Sequence, residues 1–161
     1  VEKVEVYLAA NRVVFDTEKL IITSKVVEGR FPVYDAVIPH DNPHKMVAEV
    51  ERLNSAVKRV SIFANQINRM VVLSLEANSM KISAEDPDSG RRGTEEMEAT
   101  FEGEPFEIGY NATYLLEALR HVPGQELEMH LGSPTAAGIL KPVKQREGED
   151  LLMLLMPIRL H

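Results

Sequence analysis

The chain has 161 residues, 44% hydrophobic and 27% charged, with a formal charge of -7 and no Cys. That is length and composition for one ordinary domain with a short attached piece, and it excludes disorder, which combines low hydrophobicity with strong net charge. Without Cys there is no disulfide scaffold, zinc ribbon or thiol nucleophile, and no apolar run approaches the roughly 20 residues of a spanning helix, so a cytoplasmic location is expected.

The N-terminus, Val1-Glu2-Lys3-Val4, has neither a starter Met nor a signal pattern and reads as opening inside a structural element. Residues 4–8 alternate apolar and polar, Ala10-Asn11 turns, and residues 12–15 and 20–23 are β-branched and apolar, so three strands are predicted. Gly29-Arg30-Phe31-Pro32-Val33-Tyr34 breaks this pattern and divides the chain near residue 30, into 1–30 and 31–161. Pro39 and Pro43 then flank a polar connector, His40-Asp41-Asn42.

From residue 45 to 64 the period becomes helical, with Met46, Val50, Leu53, Val57, Val60 and Ala64 on one stripe. Lys45, Arg52 and Arg59 recur every seven residues and form a basic stripe facing away from the core. On the residues alone, plain solubility is the favoured reading of such a stripe, since Glu49 and Glu51 share the segment. Strands are predicted over 69–75 and 80–84, a loop over 86–93, and strands over 97–101 and 106–108. Asn111 suits the cap of a second helix whose apolar face is Tyr114, Leu115, Ala118, Leu119 and Val122 and whose end carries Arg120 and His121. Strands over 127–131, 137–140 and 151–156 complete the chain. The order is a helix followed by three or four strands, twice. Hairpin-length connections forbid parallel neighbours, so the fold class is α+β, two helices packed on antiparallel sheets.

The negative charge is local. Nine acids against Arg91 and Arg92 lie between Glu85 and Glu107, and the rest of the chain is balanced. Net charge therefore does not exclude a polyanionic partner. No glycine-rich phosphate loop, Gly-x-Ser-x-Gly elbow or His-Glu-x-x-His helix is present. Asp86-Pro87-Asp88-Ser89-Gly90 lacks the ligand spacing of a calcium loop, and His40 with His44 has no third ligand nearby, so no metal and no cofactor is expected. A general acid needs a desolvated setting, whereas the paired carboxylates, such as Glu95 and Glu96, lie in the most polar stretch, so an acid-base hydrolase is poorly supported.

Gly29-Arg30-Phe31-Pro32-Val33-Tyr34 with Val37-Ile38-Pro39, then Ile108-Gly109-Tyr110-Asn111-Ala112-Thr113-Tyr114-Leu115-Leu116, Ser133-Pro134, and Met153-Leu154-Leu155-Met156-Pro157-Ile158-Arg159-Leu160 together resemble the bacterial DNA polymerase III beta subunit, the sliding clamp family. The resemblance implies a DNA-clamp fold, with residues 1–30 as closing strands of a middle clamp domain and 31–161 as the third. It implies a non-enzymatic processivity factor whose full-length chains close as a homodimer ring around double-stranded DNA without reading sequence. Lys45, Arg52, Arg59, Arg120 and His121 would then face DNA, with the acids outside. It also implies a pocket for short linear motifs of polymerase, clamp-loader and repair proteins, with Pro32, Val37, Leu154 and Met156 as its apolar floor. Asn111, Tyr114, Thr135, Pro157, Ile158, Arg159 and Leu160 would form its other wall, and Ile62 and Phe63 would lie in the dimer interface. By spacing alone, Leu154 and Met156 read as core, and an α+β peptide-binding adaptor without DNA contact is the alternative function.

Overall fold

A computed structural model describes residues 3–31 and 33–160, and the chain divides into two compact units, Val1–Tyr34 and Asp35–His161. The division falls after Tyr34, just past the break that begins at Gly29.

The first unit is an antiparallel meander of β1 (Glu5–Ala9), β2 (Arg12–Asp16) and β3 (Ile21–Lys25), in the order β1-β2-β3. The β2–β3 turn is held by local side-chain bonds: the Asp16 carboxylate accepts from the Glu18 N–H at 2.9 Å, and Thr17 Oγ1 from Leu20 N–H at 3.2 Å. Val6, Leu8 and Ile21 of this sheet are exposed.

In the second unit β4 (His44–Glu49) leads into α1 (Val50–Val60), followed by β5 (Met70–Glu76), β6 (Ser79–Asp86), β7 (Arg91–Glu98) and β8 (Thr100–Glu102). Then β9 (Phe106–Asn111) leads into α2 (Ala112–His121), followed by β10 (Glu126–Leu131), β11 (Gly138–Pro142) and β12 (Met153–Leu155). The strand entering each helix joins the sheet built by the other helix's successors. The sheets run β12-β11-β10-β4-β8 and β7-β6-β5-β9, antiparallel throughout. Each half is thus pinned to the other by a full ladder. Met46, Leu53, Leu73, Met80, Ile82, Ile108, Leu115, Leu119, Leu127 and Met129 are wholly buried in one core. Each such side chain contributes about 1.5–3 kcal/mol relative to an exposed one.

Four predicted elements are corrected. The helix expected from residue 45 begins at Val50. Met46, Ala48 and Val50 are buried at a period of two, and the apolar spacing that reads as helical also reads as a strand entering a helix. Glu49 keeps an extended ψ of 125°, and the first helical N–H, that of Val50, is taken by Gln125 O at 2.8 Å. The expected 86–93 loop shrinks to a tight turn, because Asp86 accepts from Ser89 Oγ at 2.6 Å, Arg91 Nη2 at 2.9 Å and Asn65 Nδ2 at 3.1 Å. The expected strand over 97–101 is two strands in different sheets, β7 ending at Glu98 and β8 starting at Thr100. Asn111 does cap α2, its Oδ1 accepting from Thr113 N–H at 2.9 Å, but Tyr114 is 65% exposed and is not part of the helix's core face.

Candidate functional site

The end of the chain builds an apolar groove. In β12, Met153 and Leu155 point to the core, so strand alternation turns Leu154 and Met156 to the other side, Met156 standing 64% exposed. Pro157 has no N–H to continue a ladder, and the chain leaves the five-stranded sheet there. It crosses to the four-stranded sheet, where Ile158 N–H donates to Gly109 O at 2.8 Å in an antiparallel bridge. Gly109 is needed for that approach. A Cβ there would lie 2.9 Å from Leu160 Cδ2, 3.0 Å from Ile158 O and 3.2 Å from Met70 Sδ.

Facing this tail is one side of α2. Asn111 and Tyr114 meet Leu154, Met156, Pro157 and Ile158 around a cleft of about 790 Å³. Six residues singled out in the sequence are thereby brought together. Glu117, Ala118 and His121 share the same wall. They follow Tyr114 at helical spacing, and that period was the signal that could have found them. Asn111 is rigid, since its Nδ2 also donates to Asn68 O at 3.0 Å. Glu117 Oε2 accepts from Arg120 at 3.0 Å, and Glu117 Oε1 lies 3.2 Å from His121 Nε2. Leu160 instead lies on Gly109 beside Met70, and Arg159 is exposed. Thr135 sits in the β10–β11 turn, organised by Ser133 Oγ, which accepts from Ala136 N–H at 3.1 Å. Val37 is exposed, following a short 3-10 turn (Tyr34–Ala36) and away from the cleft's lining. Pro32 lies outside the described residues.

The basic set separates. Lys45 is on β4, where alternation opposite Met46 places its ammonium on Glu128 at 3.0 Å, so it leaves the helical stripe. Burial raises the Glu128 pKa, but bonds from His130, Lys45 and Lys141 outweigh it and hold the carboxyl at about 2. Arg52 and Arg59 do lie exposed on α1, which packs beside α2 with its Arg120. Each has a carboxylate next to it: Arg52 meets Glu98 at 3.4 Å and Arg59 Nε meets Glu95 at 3.0 Å. The expectation that the acids lie away from the bases therefore fails for these two, because β7 packs against α1. A hydrogen bond from Arg59 holds the Glu95 carboxyl below its ordinary pKa.

Ile62 and Phe63 follow α1 in a 3-10 turn (Ser61–Phe63). The Phe63 ring lies over Gly93 of β7, where a Cβ would overlap it, so that ring is partly spent on its own sheet. Ile62 is 69% exposed and borders a cavity of about 390 Å³ with Arg69 and Arg91. Among the described residues no group of three or more His, Asp or Glu could hold a metal ion, and no helix is long and apolar enough to cross a membrane.

Residues 35–159 match the family described as DNA polymerase III beta subunit, C-terminal domain. The chain is 31% identical over 159 residues to the beta sliding clamp of Caulobacter vibrioides, covering 98% of this chain and 41% of that protein. Against the beta sliding clamp of a Synechocystis species it is 32% identical over 152 residues, covering 93% and 38%. The structure superposes on the sliding clamp of Bartonella birtlesii bound to griselimycin with a TM-score of 0.90 at 31% identity, covering 98% of this chain and 41% of that one. For the Pseudomonas aeruginosa clamp bound to griselimycin the TM-score is 0.89 at 27% identity, covering 98% and 42%. The chain thus spans about two fifths of the length of these relatives.

Proposed function

Because the chain belongs to the DNA polymerase III beta subunit family, the bacterial sliding clamps, we propose that it is the C-terminal part of a cytoplasmic, non-enzymatic clamp that tethers replication proteins to DNA. Residues before the Tyr34 division would belong to the preceding clamp domain. The observation that carries this reading is the groove, in which an exposed apolar strand end faces Tyr114 and a rigid Asn111. An apolar cleft with a few polar anchors is the usual make-up of a small recognition site. A short linear motif with a Gln and a Leu-Phe pair, of the kind polymerase, clamp-loader and repair proteins would carry, suits it. Leu154 and Met156 take the apolar anchors, and Asn111 keeps a free N–H and lone pair to orient the backbone. Val37, Thr135, Arg159 and Leu160 do not line this cleft, so a part for them in motif binding rests on the resemblance alone, as does one for Pro32. That two similar clamps were solved with griselimycin bound supports a ligand-accepting surface on this fold.

Arg52, Arg59, Arg120 and His121 would make loose phosphate contacts that permit sliding. The partners of Arg52 and Arg120, Glu98 and Glu117, are exposed, and exposed ion pairs contribute little, so a phosphate can replace them; Glu95, half-buried and bonded at two points, holds Arg59 more firmly. Ile62, with Phe63 behind it, would close a homodimer ring. The same ion pairs also favour the second reading, a peptide-binding adaptor that never touches DNA, because each cation already has an acid beside it. Fluorescence polarisation with a labelled peptide carrying Gln and Leu-Phe tests the groove. Leu154→Ala with Met156→Ala is expected to abolish binding while circular dichroism stays native. Equal affinity for both proteins would remove the groove from this end of the chain.

A further inference from the structure

The four-stranded sheet carries a second cavity, of about 700 Å³, on the face opposite the buried Val71, Leu73 and Ile82. Its floor follows from register. On this outer face β5 and β6 set Val72 opposite Ser83, two small side chains beside the longer Met70 and Glu85, so a trough lies along the two strands up to the tail seated on Gly109. Leu160 and Met70 wall it on one side, and Ile67, 92% exposed, stands at its edge. The rim holds Glu85, Asp88 and Glu107 against the single cation Arg92. Two of these carboxylates are engaged by neutral groups: Ser74 Oγ donates to Glu107 at 2.7 Å, and Asn65 Nδ2 reaches Asp88 at 3.5 Å. Such a surface repels phosphate and suits a segment that is both apolar and basic.

The terminal tail joins this trough to the groove. Ile158 lines the groove and Leu160 lines the trough, two residues apart and so about 7 Å along an extended chain. We infer that the peptide groove continues past this tail into the trough, and that a docked segment extending beyond its Leu-Phe anchors places a Lys or Arg side chain against Glu85 and Asp88. This rests on the proposed peptide-binding role of the groove and assigns it a second, charge-reading subsite.

Fluorescence polarisation with four labelled peptides decides it. All share the Gln and Leu-Phe core, and each is extended at one end or the other by a two-residue Gly spacer and either two Lys or two Ala. The Lys form of one extension is expected to bind several-fold tighter than its Ala form. Glu85→Gln with Asp88→Asn is expected to erase that difference and leave the Ala form's affinity unchanged. Glu147→Gln with Glu149→Gln, on the β11–β12 loop, is expected to preserve it. A Lys advantage that survives Glu85→Gln with Asp88→Asn, or that is absent at both ends, overturns the subsite while the groove stands. Failure of every peptide to bind removes the groove and the subsite together.

Discussion

Replacing Gly109 by Ala tests how the tail is seated. The φ of Gly109 is not positive, so Ala is conformationally acceptable and would by itself stabilise by about 0.4–1 kcal/mol through the unfolded state. Space decides otherwise. The new methyl would sit 2.9 Å from Leu160 Cδ2 and 3.0 Å from Ile158 O, against an ordinary separation of about 3.5–4.0 Å. One of those contacts is backbone and cannot rotate away. β9 is held by the β5 ladder, whereas the tail is held by one bridge, so the tail gives. The loss is the Ile158 hydrogen bond, about 1 kcal/mol, plus the partial burial of Ile158 and Leu160, about 1–2 kcal/mol together. Net destabilisation of about 1–3 kcal/mol is expected in urea unfolding followed by circular dichroism. Peptide affinity is expected to fall about tenfold or more as one wall of the groove leaves. Hydrogen exchange of the Ile158 amide reads the seating directly and is expected to lose protection, with partial recovery in Gly109→Ala plus Leu160→Ala. Full protection of that amide in Gly109→Ala would refute the reasoning.

Tyr110 is wholly buried with its hydroxyl unpartnered against Gly138, so Tyr110→Phe is expected to raise stability by about 1 kcal/mol in the same unfolding assay. Burial also raises its pKa, so the unfolded chain ionises first and stability is level below the unfolded value near 10 and falls as pH climbs beyond it; Tyr110→Phe is expected to flatten that alkaline loss. Glu128 titrates at about 2 when folded, so its stabilisation is present above about pH 4 and disappears as pH falls toward 2; Glu128→Gln is expected to flatten the acid limb of a stability-pH profile. In the full-length clamp, Arg52→Ala with Arg59→Ala is expected to reduce the salt slope of DNA association by about one unit per lost contact on every sequence, and an unchanged slope would favour the adaptor reading. In the same protein, Ile62→Ala with Phe63→Ala is expected to give monomers by analytical ultracentrifugation, with Ile62 carrying the larger share because Phe63 is partly packed on Gly93.

Local chemistry was enough for much of this molecule. The α+β class, the meander, the Asn111 cap and the position of most strands follow from period, turn residues and capping, which act over a few residues. Six residues around the groove were named through a family resemblance, since Leu154 and Met156 alone read as core, while Glu117, Ala118 and His121 of the same wall were not assigned to it. Tertiary structure decided what depends on a distant neighbour. The 44–49 segment is a strand because β10 and β8 offer it ladders on both sides, although its apolar spacing also fits a helix. That choice took Lys45 from the basic stripe to Glu128, and the packing of β7 on α1 brought Glu95 and Glu98 to Arg59 and Arg52. Gly109 is glycine for the sake of a tail some fifty residues later, and Gly93 makes room for Phe63. A sequence period records which side of an element is apolar; which charge or backbone meets that side is set by elements far along the chain, and only their packing supplies it.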